Sequence, residues 1–451
     1  MNSGDSRGLR GHVSGVVLEP QDDGYDAARR IHNGLIDKHP AVIIQCKTTS
    51  DIAAAIRFAR EHKLEIAVKG GGHNVAGRAM VKGGLVIDLS LMKAITVDSE
   101  RRTVTAEGGV TLAELNRETQ KYNLATTGGV VSTTGVAGLT LGGGYGYLAG
   151  KHGLALDNLL SATVVSAKSE IMTASERENA DLFWAIRGGG GNFGVVSSFT
   201  YRAHPVGPTI TAGLVAWPVS EASAVLRLYR ELASSSDDEV TVASGLLCVP
   251  STDTKVVGII MAHFGSPEAG AAWAKKVKGF GSPMLDTLGP MTYCDLNGML
   301  DKLYPSGALY YWKSNFLAEM SDPAIETMIE TFHRCPSSLS SIILEHWHGA
   351  AMRVPSDHTA FPHRREGHNF LILSEWTDPA RNEVNQSWTR ATFAAMQSFS
   401  THNRYVNYLD QDEGETDLAG PYGANHPKLS ELKAKYDPGN IFHLNQNIRP
   451  R

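Results

Sequence analysis

The chain is short of cysteine, of basic charge, of long apolar runs and of internal repeats, and each shortage removes a class of protein. Its four cysteines (Cys46, Cys248, Cys294 and Cys335) stand far apart among 451 residues, with no Cys-x-x-Cys pair, which argues for free, mostly buried thiols in a reducing cytoplasm. Lys and Arg number 42 against 47 Asp and Glu, a formal net charge of −5, so neither a polyanion-binding surface nor a nucleic-acid partner is expected. No apolar run is long enough to cross a bilayer, and no amphipathic stretch reads as a membrane anchor. Met1–Gly15 has no apolar core, so no signal peptide is expected there. No segment recurs at the periods of solenoids or propellers. What is left is an ordinary globular balance, 42% hydrophobic and 20% charged, in a chain long enough for two or three domains. Glycine is plentiful, with 46 residues gathered in loops.

The periodicity predicts an α+β chain. Ala41–Cys46 reads as a buried strand, and Ser50–His62 as an amphipathic helix with apolar residues at 52, 56 and 59. Thr103–Thr105 is a short strand, and Thr111 with Glu114 forms a capping box that opens a helix. Leu159–Ser166 and Val195–Tyr201 are further strands. The proline and glycine of Ala203–Pro208 read as a linker. Beyond it, strands at Gly213–Trp217, Val256–Phe264, Ile342–His348 and Phe370–Trp376 alternate with helices at Ala222–Ser234, Pro323–His333 and Asn385–Phe399, a pattern of an antiparallel sheet with helices.

The chemistry sits in the glycine loops. In Val68–Gly77 the run Lys69, Gly70, Gly71, Gly72, His73, Asn74 presents bare backbone N–H groups suited to wrapping a pyrophosphate, with Gly77 closing the loop. An imidazole adds little to ordinary dinucleotide binding, but it makes sense if His73 is bonded to the cofactor; a loop histidine capping a carbonyl is the plainer alternative. A second cluster, Thr127–Gly138, carries Val131, Thr133, Gly135 and Gly138 and runs into Gly142, Gly143 and Gly144, where side chains would block approach of a cofactor. A third, Asp181–Val196, contains a formal G-x-G-x-x-G at Gly189, Gly191 and Gly194, together with Asn192 and Val196. It follows a helical pattern and leads into a strand, the reverse of a Rossmann turn, so that fold is rejected.

Three segments complete the set. Tyr405-Val406-Asn407-Tyr408, read as a strand, puts Tyr405 and Asn407 on one side and Val406 and Tyr408 on the other. Leu344–His348 puts Glu345 and Trp347 on one face and His346 and His348 on the opposite one; two histidines without a third ligand favour structural roles over a metal. The tail, Tyr436–Ile448, brings the amides of Asn445, Gln446 and Asn447.

Together these motifs resemble the flavin-linked oxidases of the vanillyl-alcohol-oxidase / p-cresol-methylhydroxylase superfamily, within it the berberine-bridge-enzyme-like branch, and most nearly the bacterial 6-hydroxy-D-nicotine oxidase type. The resemblance rests on Lys69, Gly71, Gly72 and His73, on the DLFWAIRGGGGNFGVV segment, on Tyr-x-Asn-Tyr at 405–408 and on the Asp-Pro-x-Asn-x-Phe ending, and it covers nearly the whole chain. It implies an α+β fold: a two-subdomain FAD-binding domain of the p-cresol-methylhydroxylase type (1–207 and 415–451) around a substrate domain (208–414) whose antiparallel sheet is flanked by helices. FAD is the implied cofactor, linked by its 8α-methyl to His73. Val131 stands where many relatives have a second-attachment cysteine, so one covalent bond is expected. Tyr408 is implied as catalytic base, with Tyr405 and Asn407 shaping the cofactor face; a phenol of ordinary pKa about 10 needs assistance to serve. Glu345 is a candidate second acid/base. The implied activity is oxidation of a small alcohol or amine, a secondary metabolite, sugar or alkaloid, with hydride passing to flavin N5 and dioxygen returning as hydrogen peroxide. A dehydrogenase using another acceptor, or a redox-inert flavoprotein, is the alternative. No metal is expected, and the oligomeric state stays open.

Overall fold

The run Val42–Gln45 is apolar on both faces, as a strand covered from two sides must be. It pairs in parallel with Leu85–Asp88, which pairs in parallel with Ile66–Lys69; Val16–Leu18 lies antiparallel on the other edge. The crossover is the helix Thr49–Glu61, started by a capping box in which the Asp51 N–H donates to Thr48 Oγ1 at 3.2 Å and the Thr48 N–H to Asp51 Oδ2 at 3.1 Å. Its Ile52, Ile56 and Ala59 are fully buried against the sheet. The strand Ile66–Lys69 ends at Gly70, so this sheet delivers the first glycine loop.

The computed structural model describes residues 5–249, 252–401, 403–413 and 419–451. Among these, a second sheet has five antiparallel strands in the order Ile95–Asp98, Thr103–Glu107, Val195–Arg202, Leu159–Val165, Ile171–Ser175. The helix Ala180–Ile186 and the glycine turn after it feed the central strand, in the helix-to-strand order that rejects a Rossmann turn. The third is an eight-stranded antiparallel sheet, and sequence reading missed the short strands Leu285–Asp286 and Gly289–Met291 as well as two long ones, Val240–Val249 and Leu309–Leu317. Neither long strand alternates cleanly in sequence: all nine residues of Leu309–Leu317 are buried, because both faces are covered. Helices Ala222–Ser235, Asp322–His333 and Asn382–Met396 pack on one face over Val242, Ile259, Ile342 and Ile372. The opposite face looks toward the glycine loops. The chain is thus α+β, with two loop-bearing sheets and a helix-flanked antiparallel sheet.

The C-terminal helix His426–Tyr436 ends in a buried clamp. Lys433 Nζ and Asp437 Oδ2, both wholly buried, lie 2.6 Å apart; Lys433 also donates to the carbonyls of Asn192 (2.7 Å) and Phe442 (2.9 Å), while Asp437 accepts from the Ile441 and Phe442 N–H groups. Asp437 therefore fixes the turn that sends the tail back across the glycine loops. The expected boundary at 414/415 lies outside the described residues.

Candidate active site

Bare backbone builds one wall of the main cavity. A Cβ on Gly71 would stand 2.5 Å from the Gly135 nitrogen, and one on Gly135 would stand 2.4 Å from that of Gly71. The first two glycine loops therefore touch backbone to backbone, closer than any side chain allows. A Cβ on Gly138 would meet nothing within 4 Å and would point into the cavity. Gly70, Gly72, Asn74 and Val131 line the same wall, and Val196 and Asn445 close its far end. Arg78 holds that end by donating to the carbonyls of Leu444 (3.1 Å) and Asn445 (3.0 Å). The cleft is long and glycine-walled, a shape that fits an extended dinucleotide.

His73 opens onto this cleft. Its ring stacks on that of His32 at 3.8 Å and 17°, and His32 stacks in turn on Tyr310 at 4.7 Å. Burial, reinforced by the second imidazole, lowers the His73 pKa to about 3, and burial lowers that of His32 to about 4, so both rings are neutral at physiological pH. The His73 Nε2 lies 3.3 Å from Thr133 Oγ1. A neutral imidazole with its plane fixed is a nucleophile held ready.

The sheet supplies the opposite wall. Glu345 and Trp347 project from the strand Ser341–Trp347 toward the loops. The Tyr408 hydroxyl donates to Glu345 Oε1 at 2.7 Å, and Trp347 Nε1 lies 3.4 Å from Oε2. Burial raises the Glu345 pKa to about 7, with the two hydrogen bonds opposing it; burial and the facing Glu345 raise Tyr408 well above 10. Among the described residues no cation assists the phenol. Its partner is a carboxyl poised near neutrality.

The 405–408 segment departs from the strand expected of it. Val406–Tyr408 is a turn of 3-10 helix, because Tyr405 is anchored from the side: its hydroxyl accepts from the Gly144 N–H (2.8 Å), the Tyr145 N–H (3.3 Å) and Asn407 Nδ2 (2.9 Å). Tyr405 and Tyr408 rings then meet edge to face at 4.8 Å instead of lying on opposite sides. Asn407 Nδ2 reaches the Leu139 carbonyl at 3.0 Å, a path open because a Cβ on Gly142 would lie 2.0 Å from Asn407 Oδ1.

Six of the singled-out residues stand behind the cavity surface. Lys69 turns away, its Nζ donating to the Ala28 carbonyl at 2.8 Å and lying 3.4 Å from Asp88 Oδ2. Gly77, Gly143 and Gly144 supply positive-φ turns (67°, 140° and 88°). Thr133 reaches His73 only. Asn192 braces the tail, donating to the carbonyls of Gly189 (2.8 Å) and Gln446 (3.2 Å) and accepting from the Ile448 N–H (3.2 Å). His346 and His348 stack at 4.4 Å on the helix-covered face, and among the described residues no group of three His, Cys, Asp or Glu is placed to hold a metal.

Sequence reading missed His32, Tyr147 and the strand glycines Gly245 and Gly258. The glycines carried a signal, since glycine inside a strand marks close approach of something else. His32, 41 residues before His73, carried none.

A family model described as an FAD binding domain matches residues 40–175, and one described as berberine and berberine like matches residues 404–449. An FAD-linked oxidoreductase of Dictyostelium discoideum is 33% identical over 442 residues, 97% of this chain and 95% of its own. The (R)-6-hydroxynicotine oxidase of Paenarthrobacter nicotinovorans is 30% identical over 97% of each chain. The crystal structure of 6-hydroxy-D-nicotine oxidase from Arthrobacter nicotinovorans superposes with a TM-score of 0.88 at 28% identity, over 97% of this chain and 98% of that one. BBE-like 1 of Physcomitrella patens shares the fold, with a TM-score of 0.90 at 23% identity and 99% of each chain covered.

Proposed function

The chain belongs to the berberine-bridge-enzyme-like FAD-linked oxidoreductases, and on that premise we propose that it is an oxidase of a small alcohol or amine, holding its FAD through one covalent bond at His73. The observation that carries this reading is the 2.7 Å hydrogen bond from Tyr408 to Glu345, in the same cleft as the His73 loop. When bound, the flavin supplies a hydride acceptor at N5 and is regenerated by dioxygen, releasing hydrogen peroxide.

The residues divide the remaining work. Tyr408 gives its hydrogen to Glu345, so its oxygen lone pairs are left to accept the O–H or N–H of a substrate. As it takes that proton, its own passes to Glu345, whose pKa of about 7 suits it to receive one at neutral pH. The phenol alone, raised well above 10, is too weak an acid to stand ionised at neutral pH, so the pair acts as the base. Trp347 and Tyr405 fix the pair from the side. Neutral His73 is the attachment point, and Val131, an alkyl side chain on the cavity wall, offers no thiol for a second bond. The same reading divides the chain into a cofactor domain (1–207 and 415–451) around a substrate domain (208–414). The four free cysteines suit a cytoplasmic setting.

Acid-precipitated protein run on a denaturing gel and examined for flavin fluorescence tests the attachment, with peptide mass mapping at His73. Flavin mass on that peptide is the expected result; flavin left wholly in the supernatant overturns the covalent bond. Rapid reoxidation by air of photoreduced protein, with peroxide release, is expected of an oxidase, and slow reoxidation overturns that in favour of another acceptor.

A further inference from the structure

The sheet half of the cavity has its own shape and chemistry. Gly245 and Gly258 face each other on neighbouring strands, and Gly245 is also opposite Ile343. Bare backbone there leaves a trough in the sheet, beside the row in which Glu345, Ala243 and Ile260 stand opposite one another. Added Cβ atoms would meet Ile343 Cδ1 at 2.8 Å (from Gly245) and Leu214 Cδ1 at 2.9 Å (from Gly258), so alkyl groups border the trough. Leu247, Leu371 and Leu373 line it further, and Leu300 and Leu303 belong to its cover.

Charge is nearly absent. Among the cavity-lining residues, Arg78 sits at the tail end and Glu345 at the reaction end, and the trough itself has no cation to pair with an anionic substrate. The polar groups along it are mostly satisfied within the protein: Thr241 Oγ1 donates to the Tyr147 carbonyl at 2.6 Å, Ser244 Oγ to the Gly258 carbonyl at 2.8 Å, and the Tyr304 hydroxyl pairs with Ser341 Oγ at 3.2 Å. One is not. Tyr147 is 2% exposed, lines the cavity, and its hydroxyl has no partner among the described residues. Tyr147 belongs to the core cluster that holds Ala262 and against which Ile260 packs, and Ile260 stands two strands away from Glu345. A buried hydroxyl without a partner is costly, and a ligand oxygen at that place would relieve it.

We propose that this half of the cavity takes a flat, uncharged, elongated molecule, its oxidisable carbinol at the Tyr408–Glu345 pair and a hydrogen-bond acceptor at Tyr147, on the side of Ile260, whose strand lies about 10 Å from that of Glu345. A sugar is disfavoured, because most of its hydroxyls would be buried among alkyl groups without partners. A carboxylate or phosphate ester is disfavoured for want of a cation. The inference rests on the cavity being the substrate site, and it narrows the substrate to an aryl or polycyclic alcohol bearing a distal carbonyl or ether oxygen.

The test uses the holoenzyme without oxygen, and reads Kd from the perturbation of flavin absorbance before any reduction. The probes are 6-methoxynaphthalene-2-methanol, naphthalene-2-methanol and D-glucose. The methoxy compound is expected to bind roughly tenfold more tightly than the parent, and glucose more weakly than either. Tyr147→Phe, nearly isosteric, should erase the methoxy advantage and leave the parent's Kd within about twofold. Gly258→Val, filling the trough, should weaken both aryl probes by roughly tenfold or more while FAD content stays at the wild-type level. Equal losses for both aryl probes in Tyr147→Phe, no binding of either by wild type, or tighter binding of glucose would each overturn the proposal. If the aryl probes bind as expected and none reduces the flavin, the redox reading fails while the pocket assignment stands.

Discussion

The loop wall of the cleft meets its ligand with backbone, while the sheet wall meets it with side chains. On the loop side, Gly71 and Gly135 touch with no room for a methyl group, and Gly138 leaves the cavity open. On the sheet side, the working groups are a phenol, a carboxyl and a second phenol, set among leucines and isoleucines. The difference separates two kinds of failure. Damage to the loops should empty the protein of FAD, whereas damage to the sheet face should leave it loaded but slow or differently selective.

Gly71→Ala should have the largest effect. Its Cβ would overlap the Gly135 backbone at 2.5 Å, and the loops must part, so purified protein is expected to carry almost no flavin by absorbance. Normal FAD content in this variant would break the comparison. Asp437→Ala comes next, since it strands the buried Lys433 charge; a loss of about 3–5 kcal/mol is expected, measured by denaturant unfolding, with FAD loss following the tail. Tyr408→Phe should slow substrate reduction of the flavin by roughly 10²–10⁴-fold at unchanged FAD content, measured by anaerobic stopped flow. An effect on loading as large as on rate would blur the two walls into one.

Smaller effects sharpen the comparison through pH. Reduction should speed up as pH rises through about 7, where Glu345 becomes carboxylate, and Glu345→Gln should flatten that rise. The same residue should reveal a stability penalty. Its folded pKa, about 7 against 4.5 for the ordinary carboxyl, means that the folded state holds the extra proton, so stability falls as pH climbs through that window. The difference amounts to about 3 kcal/mol once fully expressed. Glu345→Gln should therefore raise the melting temperature at pH 8 and scarcely change it at pH 4. The smallest effect belongs to His32: Phe, which preserves the stack on His73, should keep covalent flavin near the wild-type level, and Ala should lower it, measured by in-gel fluorescence.

The two walls also differ in how far the sequence disclosed them. Backbone function leaves a mark in composition, because only glycine permits it, and the runs at 70–72, 135–138 and 142–144 stand out without a structure. The strands Val42–Gln45 and Val195–Arg202 and the helix Thr49–Glu61 were likewise legible from periodicity and capping. The sheet face was legible only in part, through four of its strands and the shared face of Glu345 and Trp347. Leu309–Leu317 is buried on both sides and lacks alternation, and Tyr405 is drawn into a 3-10 turn by donors 260 residues away or more. Tyr147 and Gly258 acquire meaning only once two strands and a loop meet, so no local pattern could mark them as neighbours of Glu345.

The tail clamp sets an order of events during synthesis. Arg78 and the Leu444 carbonyl it binds are separated by 366 residues, so the first glycine loop emerges long before the segment that closes it. At ordinary elongation rates that interval lasts roughly 20–70 s. Throughout it the loop wall stands without Leu444, Asn445 or Gln446, and the Lys433–Asp437 pair that fixes their path has yet to be made. Flavin loading is thereby expected only of chains whose translation has reached the tail, and a product cut short before Leu444 should purify colourless.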